Sequence, residues 1–300
     1  MKIAAGQFTC VPADVAANVR QMTVLAGQAR AQGAELVVFP ELALTGYELE
    51  TVLADPGLWA TADDPRLDML RDSGIATVVN CAAATGGPRP AIETLVFGAD
   101  GELLTSYRKQ HLFEHEQAVF TAGHHDGRFD FNGVRFALAT CYDNHFPDLT
   151  ARGSADGCQV HLASSLYGTG SGVDELTAIY PRIAKDSNMH VVLANHVGPA
   201  GAWTGCGRSS VWAPDGTLSR KATQPRPCSS RPTSDEAGLL THETSSAWLF
   251  TLEVYDTPLK RAAVTPSKLP EPPIGPARQG AAGGPTSVAR LAGTAADGRS

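Results

Sequence analysis

Three reactive side chains stand at the ends of strand-like apolar runs. Cys141 directly follows Val134-Arg135-Phe136-Ala137-Leu138-Ala139-Thr140. Glu41 closes Leu36-Val37-Val38-Phe39-Pro40, and Lys109 follows Leu103-Leu104-Thr105-Ser106-Tyr107-Arg108. A strand that stops on such a residue holds it rigidly at a sheet edge. A thiol with a pKa of about 8.5 is mostly protonated at neutral pH and needs a base to become a nucleophile. A carboxylate held in a dry site, such as Glu41, can be that base. Attack on a carbonyl carbon builds negative charge on oxygen. A fixed cation such as Lys109, together with the backbone N–H after the nucleophile, would stabilise that charge. Cysteine, glutamate and lysine therefore suffice for acyl transfer from a C–N bond.

The elements that must position these groups can be read from periodicity. Ile3 to Phe8, Glu35 to Phe39, Ile75 to Ala84, Ile92 to Phe97 and Leu103 to Tyr107 have strand length and apolar character. Val15, Val19, Met22, Ala26 and Ala29 recur at helical spacing, and Gly33 suits the helix end. Asn132-Gly133 predicts a hairpin between Phe129–Phe131 and Val134–Thr140. Asp143 to Pro147 reads as a turn. Val160 to Ala163 and His190 to Ala194 follow as short strands, separated by a helical pattern from Asp174 to Ser187 that Pro181 is expected to kink or reset. Ser209 to Trp212 and Thr217-Leu218 flank a turn at Pro214-Asp215-Gly216. This alternation predicts an α/β layered fold with mixed sheets.

Bulk properties narrow the function. The chain has 300 residues, 43% hydrophobic and 18% charged, with a net charge of −7. Lysine and arginine are scattered, with no basic stripe for a phosphate backbone, which argues against nucleic-acid binding. No apolar run approaches the roughly 20 residues that cross a bilayer. The N-terminal segment reads as a strand without a signal-peptide core, so a cytoplasmic location is the expectation. The cysteines, Cys10, Cys81, Cys141, Cys158, Cys206 and Cys228, form no C-x-x-C pair. Most are expected to be small buried hydrophobes. From Asp256 onward there are seven prolines and no aromatic residue, which predicts a disordered tail over 256–300.

The motifs resemble those of the carbon–nitrogen hydrolase (nitrilase) superfamily. Phe39-Pro40-Glu41-Leu42-Ala43-Leu44-Thr45-Gly46-Tyr47 is similar to its first signature. Tyr107-Arg108-Lys109-Gln110-His111-Leu112-Phe113 is similar to the second, and Cys141-Tyr142-Asp143-Asn144-His145-Phe146-Pro147-Asp148 to the third. They occur in the family's order. Glu116, ahead of Phe120-Thr121-Ala122-Gly123, resembles the family's second glutamate. Asn195, Gly198, Gly207, Ser209 and Pro214-Asp215-Gly216 match the later core. The resemblance implies an αββα sandwich whose subunits pair into a four-layer stack, a homodimer or higher homo-oligomer, with no cofactor and no metal. It implies Glu41 as general base, Lys109 as oxyanion partner, Cys141 as nucleophile, the Tyr142 N–H as second oxyanion donor and Glu116 as a helper. The resemblance covers roughly residues 1–220, and the domain is expected over 1–255, with an atypical stretch at 221–246. There Ala247 to Val254 reads as a last strand displaced by an insertion. Cys141-Tyr142-Asp143 looks like the amidase and carbamoylase branches, so a small linear amide or N-carbamoyl compound is the expected substrate, cleaved through a thioester with release of ammonia or amine.

Other readings compete. Tyr47, Phe113, Phe146 and Trp203 either line a substrate pocket or simply pack. His161 or His196 would make Cys141 papain-like. His111, His115, His124 and His125 would suggest a metal site, but no further ligand follows at motif spacing. The chain could also act on nitriles, or be a catalytically silent binding module that keeps the fold.

Overall fold

Strand ends decide where the reactive side chains meet. In the computed structural model, which describes residues 1–221 and 248–253, the first half runs β1 (Lys2–Gln7), α1 (Val15–Ala31), β2 (Leu36–Val38), α2 (Leu49–Ala54), α3 (Asp68–Arg71), β3 (Ala76–Ala83), β4 (Ala91–Phe97) and β5 (Leu103–Arg108). The second half runs β6 (Gly127–Phe131), β7 (Val134–Thr140), α4 (Pro147–Ala155), β8 (Val160–Ser165), α5 (Ser171–Ser187), β9 (His190–Asn195), β10 (Val197–Ala200), β11 (Trp203–Cys206), β12 (Ser210–Trp212) and β13 (Leu218–Lys221). A last described strand, β14 (Trp248–Glu253), pairs antiparallel with β1.

Two six-stranded mixed sheets result, ordered β14-β1-β2-β3-β4-β5 and β13-β12-β9-β8-β7-β6. β1, β2 and β3 are parallel, as are β7, β8 and β9. The strand period of two sorts the side chains. Ile3, Ala5, Leu36 and Val38 pack between the sheets against Phe136, Leu138, Leu162 and Val192. Ala4 and Val37 point the other way, onto Val19, Met22, Leu25 and Ala26 of α1. On the far side Leu176, Tyr180 and Ile183 of α5 cover Ala163, Val191 and Leu193. With both faces covered, β3 is buried at every position, which explains an apolar run that only Thr77 and Asn80 interrupt. The layers are α, β, β, α, as the motifs implied.

Most strands and both hairpins fall where periodicity places them. Pro181 behaves differently: α5 runs through it from Ser171 to Ser187 without a reset. The proline removes one backbone bond, but Ile179, Tyr180, Ile183 and Ala184 around it are all buried. Tertiary packing outweighs the lost bond. α4 is not foreseen by the pattern. Pro147 starts it, at the first helical position where a missing N–H costs nothing. The displaced last strand is found as β14. The expectations for the rest of 221–246 and for the tail 256–300 fall outside the described residues. Among the described residues, no helix is long and apolar enough to cross a membrane.

Candidate active site

Glu41 sits three residues beyond β2, in a loop that needs outside support. Leu42 has φ +47°, a left-handed conformation that a branched side chain rarely adopts. Its N–H is held by the Asn80 side-chain oxygen at 2.7 Å. The Asn80 amide in turn donates to Thr94 and Thr140, at 2.9 and 3.2 Å. Asn80 lies in the middle of β3, so the first sheet fixes the glutamate loop. On the other side His196 Nε2 hydrogen-bonds the backbone carbonyl of Glu41. The Glu41 side chain is fully buried.

Cys141 directly follows β7 and also has a left-handed backbone, φ +46°. The Asn144 amide donates to its carbonyl at 2.9 Å, and His161 Nε2 meets the Asn144 oxygen at 2.7 Å. Asp143 anchors the turn. Its buried carboxylate accepts from Thr140 N (3.0 Å), Tyr107 OH (2.7 Å), Gln110 N (3.2 Å) and His111 N (2.9 Å). Those donors come from β7, from β5 and from the loop just after Lys109. Asp143 therefore joins the nucleophile turn to the lysine segment. Of the described cysteines, four are buried and Cys141 alone is part-exposed.

Lys109 follows β5, and its N–H bonds Ile92 O at 2.9 Å. Gly123 packs so tightly on β5 that a Cβ there would come within 2.4 Å of the Arg108 carbonyl. The Lys109 ammonium is wholly buried and bridges two carboxylates, Glu41 at 2.8 Å and Glu116 at 2.7 Å. Glu116 also accepts from Tyr47 OH and Phe113 N, both at 2.7 Å. Oxygen Oε2 of Glu41 has no hydrogen-bond partner among the described residues. Burial, opposed by Lys109 and reinforced by Glu116, pushes the Glu41 carboxyl up to about 7. Burial works against the Lys109 charge, but Glu41 and Glu116 more than compensate and hold its pKa above the usual lysine range. Burial, then the charge of Glu41, pushes the Cys141 thiol well above its ordinary value. The resting thiol is protonated beside a carboxylate with a free oxygen and a proton affinity matched to neutral pH.

A cavity of about 240 Å³ opens onto Cys141. Tyr47, Phe113, Tyr142 and Trp203 line it, with His145, Leu166, Tyr167 and Glu175. Phe146 is not part of that wall: it stacks on His111, ring centroids 3.6 Å apart, and its edge supports Tyr142. The papain-like pairing is not formed: the Cys141 thiol donates to the Leu166 carbonyl at 3.5 Å, while Nε2 of His161 is engaged by Asn144 and Nε2 of His196 by Glu41. His111 Nδ1 contacts Asp143 at 3.0 Å, and His124 and His125 lie against each other. Sequence reasoning missed Asn80, Tyr167 and Glu175, and it placed Asp143 and His145 in the third motif without a role in the site. Asn80 had a usable signal, a lone amide inside an apolar run.

A cysteine, a buried glutamate and a buried lysine meet beyond the ends of strands from both sheets, and a family match decides what that constellation is. The profile of the carbon-nitrogen hydrolases matches residues 2–226. The chain belongs to the carbon-nitrogen hydrolase family. It is similar to a hydrolase of Mycobacterium tuberculosis, 32% identical over 228 residues that cover 72% of this chain and 79% of that one. The fold is similar to that of the NitN amidase of Nesterenkonia sp. AN1, with a TM-score of 0.70 and 27% identity over 85% of this chain and 93% of that one. A cysteine-to-alanine variant of that amidase has been solved with butyramide, at TM-score 0.68 and 29% identity, covering 74% of this chain and 86% of the other. A glutamate-to-leucine variant, with the same TM-score, identity and coverage, carries the acetamide moiety of fluoroacetamide on its active-site cysteine. This carbon-nitrogen hydrolase is accordingly an enzyme that acts on C–N bonds.

Proposed function

We propose that the enzyme is an amidase for small linear amides, with Cys141 as nucleophile. The observation that carries this reading is the Lys109 ammonium bridging Glu41 and Glu116 beside Cys141, whose thiol side chain lines the cavity. In the first half-reaction the Cys141 S–H proton passes to Glu41 as sulfur bonds to the amide carbon. The carbonyl π electrons move to oxygen, where the Lys109 charge and the Tyr142 N–H stabilise them. Protonated Glu41 then gives its proton to the departing nitrogen. The C–N bond breaks, ammonia or an amine leaves, and a thioester remains. In the second half-reaction Glu41 takes a proton from water, which attacks the thioester. The carboxylic acid leaves and the thiol regains its proton. Glu116, fixed by Tyr47 and the Phe113 N–H, holds Lys109 in place. A cavity of about 240 Å³ lies below the roughly 300 Å³ at which pockets for drug-sized ligands begin, so the acyl chain is short. The amides seen on the Nesterenkonia amidase, butyramide and fluoroacetamide, are of this kind.

Ammonia release from a panel of two- to six-carbon amides tests the reading, with Cys141→Ala as the inactive control. Quenching a Glu41→Gln reaction and weighing the protein should show the added acyl mass on the Cys141 peptide. A panel that yields neither ammonia nor adduct would sink the proposal.

A further inference from the structure

The wall of the cavity carries an asymmetry of charge. His145 Nε2 lies 3.0 Å from Glu175 Oε1, and both residues line the space that opens onto Cys141. Burial holds the His145 imidazole below its ordinary pKa, so at neutral pH it donates a hydrogen bond and leaves the Glu175 charge intact. The Glu175 side chain is 45% exposed, within reach of a ligand. Its neighbours in the wall are aromatic: Phe113, Tyr142, Tyr167 and Trp203. Among the described lining residues there is no lysine or arginine. Two cations act on His145 from outside the lining, Arg182 and Lys109, and Lys109 is already shared between two carboxylates. The start of α5 also faces the cavity through Ser171 and Gly172, and free helix N–H groups suit anions. That turn, however, already holds the acidic Asp174, with Glu175 next in sequence.

We propose that Glu175 sets substrate charge: the preferred acyl group ends in a cation, such as a primary ammonium, and one that ends in a carboxylate is rejected. This rests on the amidase reading and refines it. An ammonium at the far end of a short amide would pair with Glu175 and lie against aromatic faces. A terminal carboxylate would face Glu175 with no lining cation to receive it, and like-charge juxtaposition discriminates as strongly as attraction.

The test uses three linear amides of matched length, ending in an ammonium, a methyl group and a carboxylate. Their affinities are measured by calorimetry on the full-length Cys141→Ala protein, which binds without turning over. The ammonium amide should bind about fivefold or more tighter than the methyl amide, as a part-exposed ion pair with ring contacts would give, and the carboxylate amide should bind weakest. Glu175→Gln should bring the ammonium-to-methyl ratio close to one, and Glu175→Lys should reverse the order of the two charged amides. An equal or inverted order in the Glu175 protein, no binding of any of the three, or a ratio that survives Glu175→Gln overturns the proposal. Turnover by the wild type is read separately. Binding in the expected order without ammonia release would refute the amidase reading and leave the charge preference standing.

Discussion

His196 hydrogen-bonds the backbone carbonyl of Glu41 through Nε2. A carbonyl can only accept, so Nε2 carries the proton and Nδ1 is the bare nitrogen, with the Cys10 sulfur 3.9 Å away. A buried histidine first weighed as a partner for the thiol is instead attached to the proposed base. Together with Asn80, which holds the next N–H, it pins both sides of a left-handed turn. Replacing His196 with alanine leaves a buried carbonyl unpaired, at a cost of about 1–3 kcal/mol. The expected outcome is a kcat about 10- to 100-fold lower with KM little changed, because the base moves while the cavity wall stays. His196→Gln, whose amide can reach the same carbonyl, should recover much of kcat. Equal losses in both variants would point to a general loss of fold instead.

The pH profile should carry the signature of Glu41. A base works only when deprotonated, and this carboxyl is pushed up to about 7. kcat/KM should therefore fall about tenfold per unit as pH drops below about 7. An ordinary surface glutamate would hold the rate flat to about pH 4.3. Initial rates on a neutral amide from pH 5 to 9 decide between the two, and a profile flat down to pH 5 would remove Glu41 from the role of base.

Asp143 is expected to matter without touching substrate. Its carboxylate faces only donors, from Thr140, Tyr107, Gln110 and His111. Asp143→Asn removes the charge and turns an NH₂ group toward those donors. Thermal or urea unfolding should show a loss of about 2–4 kcal/mol. Tyr107→Phe, which removes one donor, should cost only about 1 kcal/mol. A neutral Asp143→Asn variant would contradict the role of Asp143 as the joint between the cysteine turn and the lysine segment.

What the sequence made legible follows from period and type. Strands such as β3 and β7 bury nearly every residue, so their runs are plain, and the charged residues that close them are conspicuous. Glu41, Lys109, Cys141 and Glu116 do converge. Phe146 shows the limit: its type and place near Cys141 suit either a pocket wall or packing, and the turn aims its ring at His111. Glu175 was hidden for the opposite reason. Near the start of a helix it reads as a solvated acid, and only the packing of α5 on the second sheet brings it to the cavity. Pro181 misled because propensity is local and the burial of Tyr180 and Ile183 is not.

His161 offers a stability test with a definite sign. It is fully buried, and burial lowers its pKa to about 4. Unfolded histidine takes up its proton near 6.5, so between about 6.5 and 4 the unfolded chain binds the extra proton. A depressed folded-state pKa means that the stability from this group is complete above about 6.5 and is lost as pH falls toward 4. The slope is at most about 1.4 kcal/mol per pH unit. His196 acts in the same direction, also held near 4 by burial. Glu41 acts in the opposite direction, since its raised pKa favours proton uptake in the folded state. The wild-type slope is a sum of these, so the informative quantity is a difference. His161→Gln, which can still donate to Asn144, removes one titrating group. Its urea-unfolding free energy should fall less steeply than that of the wild type between pH 6.5 and 5, by about 1 kcal/mol per unit. Parallel slopes would mean that burial does not keep His161 neutral in the folded protein, while Nε2 would still donate to Asn144.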